Sequence, residues 1–290
     1  MSVFLMKLLA VASMLTDHTA IFLYPRFIGR AGYEWMRAVG RFAFPVYAFL
    51  IVNGYEKTHD VKRYLTRLVA LAAVSQIPYI LANQTRPIPN MGLTVELGER
   101  WFVCLILIAV VCAAWLGTVR RDWTVLWPLL ALTLVMLRVT YMGVRILGIK
   151  GNVFYTLSLS LCVIALADAA LKPGRDWVKL AMQALGLFGA FFLIRENMDY
   201  RSMGVALIFS LWLARGSRFS QAAVIILWSV VEYIVAGNPI SHFIVSSLTA
   251  VPVLLYKGRQ GPPLKLAFYA VYPLHLAILG ALTVYFNHTS

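Results

Sequence analysis

The chain has 290 residues, 61% of them hydrophobic and only 13% charged, with a mean hydropathy of +0.77. Soluble domains carry about 25% charged residues, so a soluble globular fold is excluded. The long continuous apolar runs also exclude an outer-membrane barrel, whose strands alternate over roughly ten residues. The net charge of +14 comes from Lys and Arg scattered in short segments between apolar runs, as the positive-inside rule expects, and no stretch has the length of a nucleic-acid-binding arm.

The apolar runs predict an all-α, polytopic transmembrane helical bundle of about 10–11 spans, forming one domain over residues 1–290. In chain order the predicted spans are 3–24, 37–55, 64–82, 101–117, 124–141, 153–170, 178–194, 203–214, 222–236, 242–256 and 265–286, with 203–214 the weakest. No small-residue cleavage site follows the first run, so it is expected to stay as a helix. The even-numbered loops carry the denser cations, among them Lys57, Arg63, Arg67, Arg120 and Arg121, whereas the odd-numbered loops also carry Glu34, Glu96, Glu99, Glu196 and Asp199. The even loops, and with them the N-terminus, are therefore expected on the cytoplasmic side. Cys104, Cys112 and Cys162 all lie inside apolar runs without metal-ligand spacing and are expected to be small buried hydrophobes; no metal is expected.

The first span holds "SMLTDHTAIFLY" at residues 13–24, with Asp17 and His18 adjacent near its outer end. Ionisable groups inside a membrane are expensive and mark sites by default. Neighbours on a helix point about 100° apart, so these two cannot face the same partner directly. Arg41, a few residues into the second span, is the expected ion-pair partner of Asp17, and Asp17 could orient His18 through a neighbouring helix. An imidazole titrates near neutrality, which leaves His18 for acid–base chemistry. Gly40 allows close helix approach, and Pro45 frees a carbonyl and bends the chain.

The last span carries Tyr272, Pro273 and His275. Positions three apart share a helix face, so Tyr272 and His275 project into one polar site. Glu232 is a second candidate carboxylate for that site, while His242, near a helix start, is expected to be interfacial. An echo, "NMGLTVELG" at 90–98 and "NVFYTLSLS" at 152–160, fits Asn as helix N-cap in both copies. No phosphate-binding glycine loop, dinucleotide fingerprint, zinc-protease motif or nucleophile elbow is present.

Taken together, several stretches resemble the TraX family of membrane proteins. They are the Asp17–His18 pair, "GRFAFPVYAFLIVNGY" at 40–55, "RLVALAAVSQIPYILA" at 67–82, "NVFYTL" at 152–157, "DYRSMGV" at 199–205 and "FYAVYPLHLAIL" at 268–279. They occur in family order from residue 6 to residue 280. The chain departs from the pattern at Arg201, where a Gly often follows the Tyr, and in a longer segment between residues 83 and 150.

The resemblance implies a bacterial inner-membrane acyltransferase that uses cytoplasmic acetyl-CoA as donor and acetylates an exported acceptor, a pilin N-terminus or a surface glycan. His18 would be the general base, Arg41 the oxyanion stabiliser, and His275 with Tyr272 the groups that hold the thioester or relay the proton. Glu232 would contact substrate, and Arg63, Arg67, Arg120 and Arg121 would meet the CoA phosphates. Intramembrane Asp, His, Arg and Glu equally describe a proton-coupled transporter, or a membrane scaffold in which these residues are dispensable, and the residues alone do not choose.

Overall fold

The computed structural model describes residues 1–83, 94–97, 137–141, 144–147, 151–174, 176–177, 180–181, 183–184, 187, 199–262 and 264–289. Cα packing divides these into two compact units, one made of Met1–Lys57 with Ala206–Ser290 and the other of Thr58–Val205.

In the first unit α1 spans Val3–Leu23, α2 Arg30–Gly40 and α3 Ala43–Lys57. The predicted span 37–55 is therefore two helices that meet at Arg41–Phe42. The cause is Pro45, in the first turn of α3. It has no N–H to give to the carbonyl of Arg41, four residues earlier, and its ring crowds that carbonyl. A proline is tolerated there because first-turn N–H groups have no intrahelical acceptor. The carbonyls left at the end of α2 are taken up by Ser13 of α1, whose hydroxyl donates to Val39 O at 2.7 Å and Gly40 O at 3.3 Å.

Within this unit α1 packs on α2, α3 and the last helix of the chain. The helix α6 (Arg201–Leu213) belongs to this unit from Ala206 onward, and after it come α7 (Arg218–Ala236), α8 (Ile240–Leu248), α9 (Ala250–Leu254) and α10 (Lys265–Thr289). Gly237 closes α7 at φ +62°, in the left-handed region that favours glycine, and Pro239 starts α8. At one end of the unit the chain start pairs with residues 255–260 through Val3 N–Arg259 O, 2.9 Å, and Phe4 N–Gln260 O, 3.0 Å.

The second unit contains α4 (Val61–Asn83) packed against α5 (Val153–Leu171). Asn152 caps α5 by accepting from Phe154 N at 3.1 Å, as its sequence position suggested. Its amide also donates to Ala72 O at 2.8 Å and Gln76 Oε1 at 2.9 Å, which ties the 67–82 and 152–157 stretches together. In the chain between these helices come the strands of a three-stranded antiparallel sheet, β1 (Thr94–Leu97), β2 (Leu137–Tyr141) and β3 (Val144–Leu147), with Glu96 opposite Arg138 and a bulge after Val139. Residues 137–141 are thus strand, not the end of a predicted helix. Their run of Val139, Thr140 and Tyr141 favours the pleated conformation. The predicted spans 101–117, 124–136 and most of 178–194, with Cys104, Cys112, Arg120 and Arg121, lie outside the described residues.

Six helices are long and apolar enough to cross a membrane among the described residues: Val3–Leu23, Arg30–Lys57, Val61–Ala82, Val153–Leu171, Arg218–Val235 and Leu266–Phe286. Arg201–Leu213 and Ile240–Leu254 are shorter apolar helices. Large apolar side chains stay exposed along one stripe of α10, at Leu266, Leu274, Ile278 and Leu282, while Tyr272 and Leu276 turn inward. Lipid is the solvent that accepts such a stripe. Apart from that short sheet the described elements are helices, and the protein is a helical, multi-pass membrane protein embedded in a bilayer.

Candidate active site

The first unit collects a set of polar side chains within its helices. Asp17 and His18 point to different helices, as their 100° offset demands. Asp17 faces α2, on the same face as Ser13 one turn before it. Its Oδ2 accepts from Arg37 Nη1 at 2.6 Å, with both side chains about four-fifths buried (17% and 20% exposed). The predicted ion pair with Arg41 is thereby corrected. Because α2 ends at Gly40, the residue one turn earlier inside the helix faces Asp17, and Arg41 falls on the cap. Arg41 still lies near enough to act electrostatically on Asp17. Gly40 has no Cβ because there is no room for one: an added Cβ would sit 2.5 Å from Cγ of Asp17 and overlap its Oδ1 and Cβ. The Oδ1 atom of Asp17 is buried and without a hydrogen-bond partner among the described residues.

His18 faces α10. Its Nδ1 lies 2.6 Å from Nε2 of His275, with the two rings nearly parallel at 8°. Nδ1 of His275 lies 2.7 Å from the carbonyl oxygen of Val271, one turn back on α10. A carbonyl only accepts, so Nδ1 of His275 carries the proton. In the neutral ring its Nε2 then accepts, Nδ1 of His18 donates, and Nε2 of His18 keeps the lone pair. His275, not Asp17, therefore holds the ring of His18. The side chain of Tyr272 is buried and edge-on to both imidazoles, with centroids 6.0 Å from His18 and 5.5 Å from His275. The turn spacing of Tyr272 and His275 made their shared face readable in advance.

Glu232 on α7 is half-buried and within the electrostatic reach of Arg41. His242 is only 8% exposed rather than interfacial, and both its ring nitrogens are buried without hydrogen-bond partners among the described residues. Sequence position hid it, because a helix start looks interfacial until the neighbouring helices are known. Arg63 and Arg67 belong to the second unit, on α4, where both are exposed and Arg63 Nε lies 3.3 Å from Asp60.

The fold and this cluster define a class: a multi-pass membrane protein with a hydrogen-bonded histidine pair and an Asp–Arg ion pair inside its helices. The family model for the TraX protein matches residues 2–147 and 147–283, and the chain belongs to the TraX family. It is also 24% identical over 283 residues to a protein of Dichelobacter nodosus described as "Probable fimbrial assembly protein FimC, serogroup H1", covering 96% of this chain and 94% of that protein. No solved structure matches.

Proposed function

We propose that this protein is an integral inner-membrane acyltransferase, with its N-terminus cytoplasmic, that moves acetyl from acetyl-CoA to an exported acceptor. The observation that carries the proposal is the His18–His275–Val271 chain of contacts. It leaves Nε2 of His18 unprotonated and fixes the ring that bears it, which is what a general base needs. The name of the Dichelobacter relative, a fimbrial assembly protein, favours an acceptor from the fimbrial or envelope machinery.

In the proposed step, Nε2 of His18 takes the proton from the acceptor's N–H or O–H as its lone pair attacks the thioester carbonyl. The carbonyl oxygen becomes an oxyanion, and Arg41 is the cation proposed to stabilise it. Collapse breaks the C–S bond and releases CoA thiolate, which takes up the proton from His18. The imidazolium formed in between shares its charge with His275 through their hydrogen bond, and Tyr272 walls the pair. Asp17, neutralised by Arg37, keeps α1 and α2 together rather than handling the proton. The phosphates of CoA would meet cytoplasmic cations, among which Arg63, Arg67, Arg120 and Arg121 are proposed.

The test is transfer in membrane vesicles that expose the cytoplasmic face and receive acetyl-labelled CoA. Label that moves into envelope protein or glycan, with CoA consumed and no solute flux, fits the proposal. Flux of protons with a solute and no loss of acetyl-CoA would instead make the buried histidines part of a carrier.

A further inference from the structure

The acyl-transfer proposal gives no place to His242, yet this side chain poses the sharpest polar problem in the first unit. Buried polar atoms are nearly always hydrogen-bonded. Both nitrogens of His242 are buried and have no partner among the described residues. Glu232 is half-buried on α7 and feels the charge of Arg41.

The two residues stand on an antiparallel pair of packed helices, α7 and α8. Ser229 of α7 donates to Ser246 of α8 at 2.9 Å, and the rings of Tyr233 and Phe243 lie 5.9 Å apart. Glu232 is one turn from Ser229 and His242 one turn from Ser246. Both steps run toward the Gly237–Pro239 connection, so the two residues share the facing sides of the pair. The α8 helix also packs on α2, the helix capped by Arg41. Arg41 acts electrostatically on Glu232, on His242 and on Asp17. A carboxylate, an imidazole and the Asp17 side chain are thus all within the electrostatic reach of one cap residue, in the same unit as the His18–His275 pair.

We infer that Glu232 and His242 form a second polar subsite that receives the acceptor's nucleophile, an amine N–H or hydroxyl O–H, and presents it to His18. His242 is a positioning residue that hydrogen-bonds the incoming group, and Glu232 accepts from its remaining hydrogen. The unmet nitrogens of His242 are then the vacant half of a substrate contact. This inference rests on the acyl-transfer proposal for its chemistry, but not for its geometry.

Two measurements on the full-length protein in detergent test it. The first maps modification by diethyl pyrocarbonate, which reacts with unprotonated imidazole, using the exposed His59 as internal control. Modification of His242 supports an open subsite; an inert His242 beside a modified His59 shows a sealed packing residue and overturns the inference. The second follows thiol release from acetyl-CoA with glycinamide as the amine probe and methyl glucoside as the hydroxyl probe. His242→Phe should raise KM for the active probe by about tenfold, the size of one lost hydrogen bond. KM for acetyl-CoA should stay within about twofold, and His242→Gln should recover part of the loss. An unchanged probe KM, or equal rises in both KM values, overturns the inference. The two proposals fail separately. A modified His242 without acetyl-CoA consumption removes acyl transfer and keeps the subsite, whereas thiol release through His18 with an inert His242 does the reverse.

Discussion

Gly40→Ala is the substitution whose cost follows most directly from the packing of α1 on α2. The new Cβ would fall 2.5 Å from Cγ of Asp17 and overlap two further atoms of that side chain. Carbon atoms rest at about 3.5–4.0 Å, so the helices must part by roughly 1 Å at this crossing. Two hydrogen bonds span it, Arg37 Nη1 to Asp17 Oδ2 at 2.6 Å and Ser13 Oγ to Val39 O at 2.7 Å, and neither survives such a shift in good geometry. Overpacking costs about 1–3 kcal/mol and each of the two lost hydrogen bonds about 1 kcal/mol more. The purified variant should therefore unfold at a temperature lower by roughly 6–20 °C, given ~2–4 °C per kcal/mol for a chain of this size. Gly32→Ala, in the same helix, is the control. Its Cβ would meet only Ile28 Cβ at an ordinary 3.7 Å, so it should be neutral or stabilising by up to about 1 kcal/mol. Thermal unfolding in detergent, followed by intrinsic fluorescence, reads both. Equal melting temperatures for Gly40→Ala and the parent would refute the close crossing at Asp17.

Arg37→Ala strands the Asp17 carboxylate and should cost about 3 kcal/mol, the lower end for a broken buried pair because both side chains keep some solvation. Asp17→Asn in the same chain should restore much of the melting temperature, and no recovery would argue against the pair. His275→Ala should lower kcat for thiol release by about 10²-fold with little change in KM for acetyl-CoA, because it frees the ring of His18; an unchanged kcat would show that the dyad is not used. Arg201 sits at φ +44°, after Tyr200 at φ +61°. Arg201→Gly should raise stability by about 0.5–1 kcal/mol, since the left-handed conformation costs an ordinary residue ~1–2 kcal/mol and glycine returns part of that as chain entropy. A lower melting temperature would contradict it.

Much of this architecture could be read from single residues. Eight of the predicted runs coincide with described helices, because runs of this length and hydropathy have few other solutions. Gly40 and Pro45 revealed a close approach and a break, and the three-residue spacing of Tyr272 and His275 revealed a shared face. The partner of Asp17 was misplaced by one turn for a definite reason. With 37–55 drawn as one helix, Arg41 looked like an interior residue, whereas Pro45 ends α2 just before it. The positive φ at Arg201 gives a physical meaning to the family's glycine at that place, which the sequence showed only as a departure. The role of His275 in holding His18 depends on which helix α1 packs against, and no local pattern encodes that. His242 was hidden for the same reason, although the polar pairs Ser229–Glu232 and His242–Ser246, each one turn apart on apolar helices, were a readable signal of two polar faces turned toward each other.

The measurement that bears most directly on the central claim is thiol release from acetyl-CoA by the purified full-length protein, wild type against His18→Ala. The account predicts release by the wild type, and its loss in a variant that keeps the parent's melting temperature. Undiminished release by a folded His18→Ala protein would take the base out of the proposed mechanism, and a folded wild type that neither binds nor cleaves acetyl-CoA would contradict acyl transfer itself.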